Sequence, residues 1–168
     1  MMIPAPKLTV STPKSLPPGC ADYPATSTNP MKLPEISDRK SVGKFLDANG
    51  LTGLAVEIGV QNGANAENIL RSNLKTLFLV DPWESQPADQ YIDGTARIDF
   101  PKTFAQCQKR LAPHRQRIVY LKEYSSQAAR HFNSPLFDFI YIDGNHHEPQ
   151  ISTDLHEWWP LLRSGGLF

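Results

Sequence analysis

The stretch GLAVEIGVQNGANAENILRSNLKTLFLVDPW, residues 53–83, decides the fold. Its opening, GLAVEIG at 53–59, reads as a buried strand between two glycines. Residues 63–73 follow with Ala66, Ile69 and Leu70 at the spacing of one helix face, and TLFLV at 76–80 reads as a second buried strand. Strand, helix and strand within about 30 residues is the size of a βαβ unit. Both strands are continuous apolar runs with no alternation, the pattern of a parallel sheet covered on both faces.

The same rhythm continues on the C-terminal side. Residues 104–111 read as a helix, 117–121 as a strand, 126–132 as a helix and FDFIYI at 137–142 as a strand. A further helix begins near Pro149, with Ile151, Leu155 and either Trp158 or Trp159 on one face. Pro160 is expected to end or kink it, and GGLF at 165–168 reads as a turn opening one more strand. On the N-terminal side, Ser37 is expected to cap a helix running to about Asn49, with Val42, Phe45 and Leu46 on one face and Gly50 as its stop. Alternating strands and helices predict a doubly wound, mostly parallel α/β sheet.

Residues 1–35 differ in kind. Eight of the chain's fifteen prolines lie between Pro4 and Pro34, among Ser, Thr and Asn. Proline lacks the backbone donor that helix and sheet need, so this segment is expected to be a disordered tail. The plainer reading gives it no docking role. The rest, 36–168, makes one domain. The 17 basic and 17 acidic residues cancel, which leaves no electrostatic footprint for nucleic acid or an anionic membrane. No apolar run is long enough to span a bilayer. The N-terminus lacks the apolar core of a signal peptide. Cys20 and Cys107 form no CxxC pair, as expected for reduced thiols in a cytoplasmic protein.

Ligands of open parallel sheets bind beyond the carboxyl ends of the strands, so the residues following each strand are the candidates. The first strand ends in E-x-G-x-x-x-G, with Glu57, Gly59 and Gly63. Gly59 permits a sharp turn and close approach to the backbone, Gly63 opens the helix, and Glu57 offers a carboxylate to a cationic ligand group. Glycines at such a turn are as readily structural. The second strand is followed by Asp81-Pro82-Trp83. Asp81 lies 22 residues past Gly59, near the offset of the ribose-binding acid of βαβ nucleotide sites, and Trp83 offers an apolar plate. After the third strand, Ser125 either caps the next helix or bonds an adenine. After the fourth come Asp143-Gly-Asn-His146-His147-Glu148, the densest polar group in the chain. Asp143 suits a divalent cation and His146 suits proton abstraction from a hydroxyl. His147 and His156 are read as surface or packing residues.

Together, VEIGVQNG at 56–63, LVDPW at 79–83, FDFIYIDGNHHE at 137–148 and DLHEWWPLLRSGG at 154–166 resemble class I S-adenosylmethionine-dependent methyltransferases. Within them the chain is most similar to the macrocin O-methyltransferase-like group, over about residues 38–168. The resemblance implies a Rossmann-like fold with Glu57, Gly59 and Gly63 around the methionine part of the cofactor. It places Asp81 at the ribose, Ser125 near the adenine and Asp143 beside the methyl donor. In metal-dependent members Asp143 would also ligate Mg2+, and His146 is the candidate base. The implied reaction is SN2 methyl transfer to a small-molecule hydroxyl.

The group's sheet continues through a fifth strand and a final antiparallel pair, and its further metal-binding acids come from the fifth strand. The chain stops at Phe168, so the expectation is a truncated domain. Its sheet would be incomplete after the fourth strand, whose apolar edge would lie open, and its catalytic complement would be short. Residues 84–100 are long for a loop and are expected to cover the acceptor, with Tyr91 and Asp93 as contacts. Two other readings stay open: a non-catalytic binding or interaction remnant of a methyltransferase, and a nicotinamide-dependent oxidoreductase, against which the missing G-x-G-x-x-G weighs; a homo-oligomer stays open under any of them.

Overall fold

The computed structural model describes residues 38–84 and 98–168. The proline-rich segment, Ser37, and the contacts expected of Tyr91 and Asp93 lie outside the described residues.

Five parallel strands form one sheet: β1 Leu54–Ile58, β2 Thr76–Val80, β3 Ile118–Leu121, β4 Phe137–Ile142 and β5 Leu162–Leu167. Their order is β3-β2-β1-β4-β5, all neighbours pairing in parallel. The chain winds outward from β1 through β2 to β3, then returns to place β4 on the other side of β1. The switch point of the doubly wound fold therefore falls between β1 and β4, where a crevice opens beyond the strand ends.

Helices α1 Val42–Ala48, α2 Ala64–Ile69, α3 Phe100–Leu111, α4 Ser125–Ala129 and α5 Gln150–Trp158 connect and cover the strands. The period-2 alternation of the strands sorts the core into two halves. Ala55, Leu77, Leu79 and Phe139 pack with Phe45, Leu46, Ile69, Cys107 and Leu111 of α1, α2 and α3. Val56, Phe78, Val80 and Ile140 pack on the other face with Ala128, Phe132 and Trp158 of the α4–α5 side. Trp158, not Trp159, is the buried tryptophan of α5; Trp159 is 62% exposed.

Three local outcomes differ from the sequence expectations. The cap before α1 is Asp38, whose carboxylate accepts from Lys40 N and Ser41 N of a 3-10 turn over Arg39–Ser41. Helix α3 begins at Phe100, four residues earlier than its apolar spacing suggested. Asp99 accepts from Lys102 N there and Pro101 sits in the first turn, where a missing N–H costs nothing. The edge of β4 is not open. Leu162–Leu167 already pairs with it, through an irregular register that accommodates Gly165 and Gly166 inside the strand. Asp138 of β4 fastens this join, since one carboxylate oxygen accepts from Arg163 Nε and the other from Gly53 N at 2.6 Å. Among the described residues no helix is long and apolar enough to cross a membrane.

Candidate cofactor site

The crevice is built by hydrogen bonds between strand ends. Asp143 N donates to Ile58 O at 2.7 Å, Gly59 N to Val80 O at 2.9 Å and Asp81 N to Leu121 O at 3.2 Å. Three carboxylates thereby converge from three neighbouring strands: Glu57 from β1, Asp81 just past β2 and Asp143 just past β4. Gly59, at φ +86°, is what lets them meet. A Cβ there would overlap the Asp143 carbonyl and stand 2.6 Å from Gly144 Cα, so only glycine permits the two strand ends to lie this close.

Asp81 is the clasp of this end of the sheet. Its Oδ2 accepts from Val60 N and Gln61 N, both at 2.9 Å, and its Oδ1 from Trp83 N at 2.7 Å. Gln61 and Trp83 both adopt positive φ, +48° and +44°, a conformation that costs side-chain-bearing residues about 1–3 kcal/mol each. Trp83 Nε1 donates to Gln61 O at 2.7 Å, so the two strained residues hold each other through the same carboxylate. Burial raises the Asp81 pKa, against the three amides that lower it.

Two lobes share Gly59, Gln61, Asp143 and Gly144 as a common wall. The first, about 280 Å³, is lined by Asp81, Pro82, Glu84, Tyr124, Ser125 and Asp154, among others. The second, about 330 Å³, includes Arg39, Glu57, Asn62, Asn65 and His146. Each is near the lower end of small-molecule sites, roughly 300–1,000 Å³.

Glu57 is the most perturbed acid in the crevice. It is 1% exposed, and its Oε1 accepts from Asn65 Nδ2 at 3.1 Å. Its Oε2 is buried with no partner, as is Asn65 Oδ1. Burial pushes the Glu57 pKa up to about 8. The Asn65 bond opposes that rise, and the Asp143 and Asp81 charges add to it. Two unpartnered acceptors side by side in one lobe suit an incoming cationic donor.

Asp143 and His146 do come together, His146 Nε2 standing 3.5 Å from Asp143 Oδ1. Nothing in the sequence pointed to the third member. Arg39, 104 residues away, forks onto Asp143, with Nη1 at 3.0 Å from Oδ2 and Nη2 at 3.5 Å from Oδ1. It is the only Arg or Lys lining either lobe among the described residues. No group of three His, Cys, Asp or Glu side chains is placed to hold a metal among the described residues, so the Mg2+ that the resemblance allowed lacks a ligand set here.

Other expected residues take different parts. Trp83 is 2% exposed and lines neither lobe. It packs against Phe104, with ring centroids 4.6 Å apart, because its indole is drawn inward to Gln61 O. It supports the turn from behind and is not a plate facing the ligand. The aromatic residues that do line the first lobe are Phe100 and Tyr124, the latter 37% exposed. Gly63 opens α2 in the left-handed conformation but faces α3, where a Cβ would stand 2.9 Å from Cys107 Sγ. Ser125 is not a cap; Gln127 Oε1 accepts from Tyr124 N instead. Its hydroxyl accepts from Trp158 Nε1 at 2.7 Å and bonds Asp154, whose pKa is raised chiefly by burial. Asp154 was missed because its spacing marks only a helix. Its burial at 1% exposure, with Gln150 Nε2 donating to it at 2.7 Å, is a tertiary outcome.

Fold and crevice together define a doubly wound α/β domain with an acidic crevice at its switch point. Residues 56–168 match a family described as a methyltransferase domain, and the chain belongs to that family. Membership implies S-adenosylmethionine as methyl donor. No curated protein matches the sequence. A solved structure of a Corynebacterium glutamicum protein is similar in fold, with a TM-score of 0.52 at 17% identity. The likeness covers 82% of this chain and 58% of that one, so the chain spans less than two thirds of that protein's length.

Proposed function

We propose that this crevice binds S-adenosylmethionine and presents its methyl group to the hydroxyl of a small-molecule acceptor. The observation that carries the reading is the convergence of Glu57, Asp81 and Asp143 on the two lobes around Gly59. The nucleoside takes the first lobe. Asp81 Oδ1, with one amide bond made, has capacity left for a ribose hydroxyl, and Tyr124 offers the adenine an aromatic face. At the far end the Ser125 hydroxyl and the Asp154 carboxylate present acceptor capacity to an exocyclic amine. The amino-acid end takes the second lobe, where the unpartnered Glu57 Oε2 and Asn65 Oδ1 receive its ammonium.

When bound, the cofactor supplies an electrophilic methyl on a sulfonium. The chain's part is alignment and charge. Asp143, on the wall common to both lobes, faces the cationic centre, and holding the nucleophile in line supplies most of the acceleration. His146, 56% exposed and beside Asp143, would take the acceptor's proton.

The test is isothermal titration of the folded protein with S-adenosylmethionine and with S-adenosylhomocysteine. Saturable 1:1 binding of both is expected. A folded sample that takes up neither, or that binds NADH instead, overturns the reading.

A further inference from the structure

The second lobe holds one guanidinium among acids, and that guanidinium is engaged with an acid of the site. An amino-acid head group carries both an ammonium and a carboxylate. The lobe offers the ammonium two buried acceptors without partners, Glu57 Oε2 and Asn65 Oδ1. For the carboxylate it offers one full cation among the described residues, Arg39. We propose that Arg39 is the carboxylate clamp of the site, and that its pair with Asp143 is a resting arrangement exchanged when the amino-acid head group enters. This rests on the cofactor reading above and adds to it a residue and a binding step.

Three features make the exchange feasible. First, the fork of Arg39 already grips a carboxylate in two-point fashion, at 3.0 and 3.5 Å, and a ligand carboxylate has the same planar geometry. Second, the resting pair is easily given up. The Arg39 side chain is 62% exposed and that of Asp143 is 24% exposed, and solvent-exposed pairs are held weakly. Third, ion pairs are exchanged for ion pairs. One internal ion pair opens to admit a zwitterion, so the carboxylate meets Arg39 while the ammonium meets the acidic wall of Glu57 and Asp143. Neither charge of the ligand head group is left unpaired.

The base of Arg39 is fixed, and its head is held from outside its own turn, by Asp143 and by a hydrogen bond to the Tyr141 side chain, the latter a second anchor about which the guanidinium can turn. The 3-10 turn Arg39–Ser41 is tied down by the Asp38 carboxylate, which accepts from Lys40 N and Ser41 N at 2.8 and 3.0 Å. It also packs against α2, the helix that carries Asn65. The guanidinium can thus swing from Asp143 to a ligand without moving the backbone.

The experiment compares S-adenosylhomocysteine with 5′-methylthioadenosine, the same thionucleoside without the amino-acid head group, on wild type, Arg39→Gln and Arg39→Lys, each checked for an unchanged melting profile. Arg39→Gln is expected to weaken S-adenosylhomocysteine about tenfold or more, the scale of a lost charge-assisted pair, and to leave 5′-methylthioadenosine within about twofold. Arg39→Lys, keeping the charge without the fork, should fall between. Unchanged binding of S-adenosylhomocysteine by Arg39→Gln overturns the proposal. So does tighter binding, which would make Arg39 a competitor for Asp143, or an equal loss for both ligands, which would make it structural. If wild type binds 5′-methylthioadenosine but not S-adenosylhomocysteine, the clamp is wrong and the nucleoside lobe stands. If it binds neither, the cofactor reading itself falls.

Discussion

At the scale of the residue, Glu57 carries the sharpest consequence. Its ordinary value is 4.5, and burial pushes it up to about 8 in the folded chain. Between those values the folded protein holds a proton that the unfolded chain has released. Stability therefore falls as pH rises through that window and stays low above it. A tenfold change in a protonation equilibrium is worth roughly 1.4 kcal/mol, so a few kcal/mol are at stake. Glu57→Gln removes the ionisation while keeping an oxygen for Asn65 Nδ2 to donate to. The variant should melt near wild type at pH 5 and well above it at pH 9. Parallel melting curves across that range would show that the Glu57 carboxyl ionises freely. Binding reverses the preference: an ammonium beside Oε2 favours the carboxylate. Titration near pH 7 in buffers of different ionisation heat should then register release of up to one proton per ligand bound.

At the scale of the element, the loops after β1 and β2 behave as one unit, and Asp81 is its centre. Asp81→Asn replaces one acceptor oxygen with a donor, and either the Val60 and Gln61 amides or the Trp83 amide then lose their partner. A lost bond to a charged acceptor is worth about 1.5–3 kcal/mol. That loss competes directly with the strain at Gln61 and Trp83. The variant should lose about 2–3 kcal/mol of stability, and hydrogen exchange at the Val60 and Gln61 amides should quicken while the β4 amides stay protected. Uniform loss of protection would place Asp81 in the global core instead. This unit also shows what a sequence displays and what it hides. Strand β4 was legible to the residue because FDFIYI is apolar at every position but Asp138 and turns polar at once after Ile142. The carboxylates of Glu57, Asp81 and Asp143, at the carboxyl ends of β1, β2 and β4, were legible because the fold class dictates where strand ends point. Trp83 was misplaced because its neighbours say nothing of the backbone twist that turns its indole inward. Arg39 was invisible because its partner is 104 residues away and no periodicity links a lone arginine to a loop across the sheet.

At the scale of the whole molecule, the sheet has two ends with opposite uses for buried acid. At the carboxyl end, Glu57, Asp81 and Asp143 gather with little cationic compensation, as suits a ligand. At the other end Asp138, whose side chain is 3% exposed, is fully engaged by Arg163 of β5 and by Gly53 N ahead of β1, as suits a joint. The GG turn concealed that joint from the sequence, since glycines inside a strand look like its boundary. Removing Arg163 strands a buried charge, which typically costs about 3–5 kcal/mol, whereas removing both charges costs much less. Arg163→Ala should therefore lower stability by about 3 kcal/mol in denaturant titration. It should also loosen β5 and uncover the apolar edge of β4, promoting aggregation. The double variant Asp138→Asn with Arg163→Leu should regain part of the loss, because the Asn oxygen still accepts from Gly53 N and no charge is left bare. The nucleoside lobe lies at the opposite end of the strands, so binding of 5′-methylthioadenosine by the folded fraction should be the same in both variants. If it weakens in step with stability, the two ends of the sheet are coupled and joint and site are not separate.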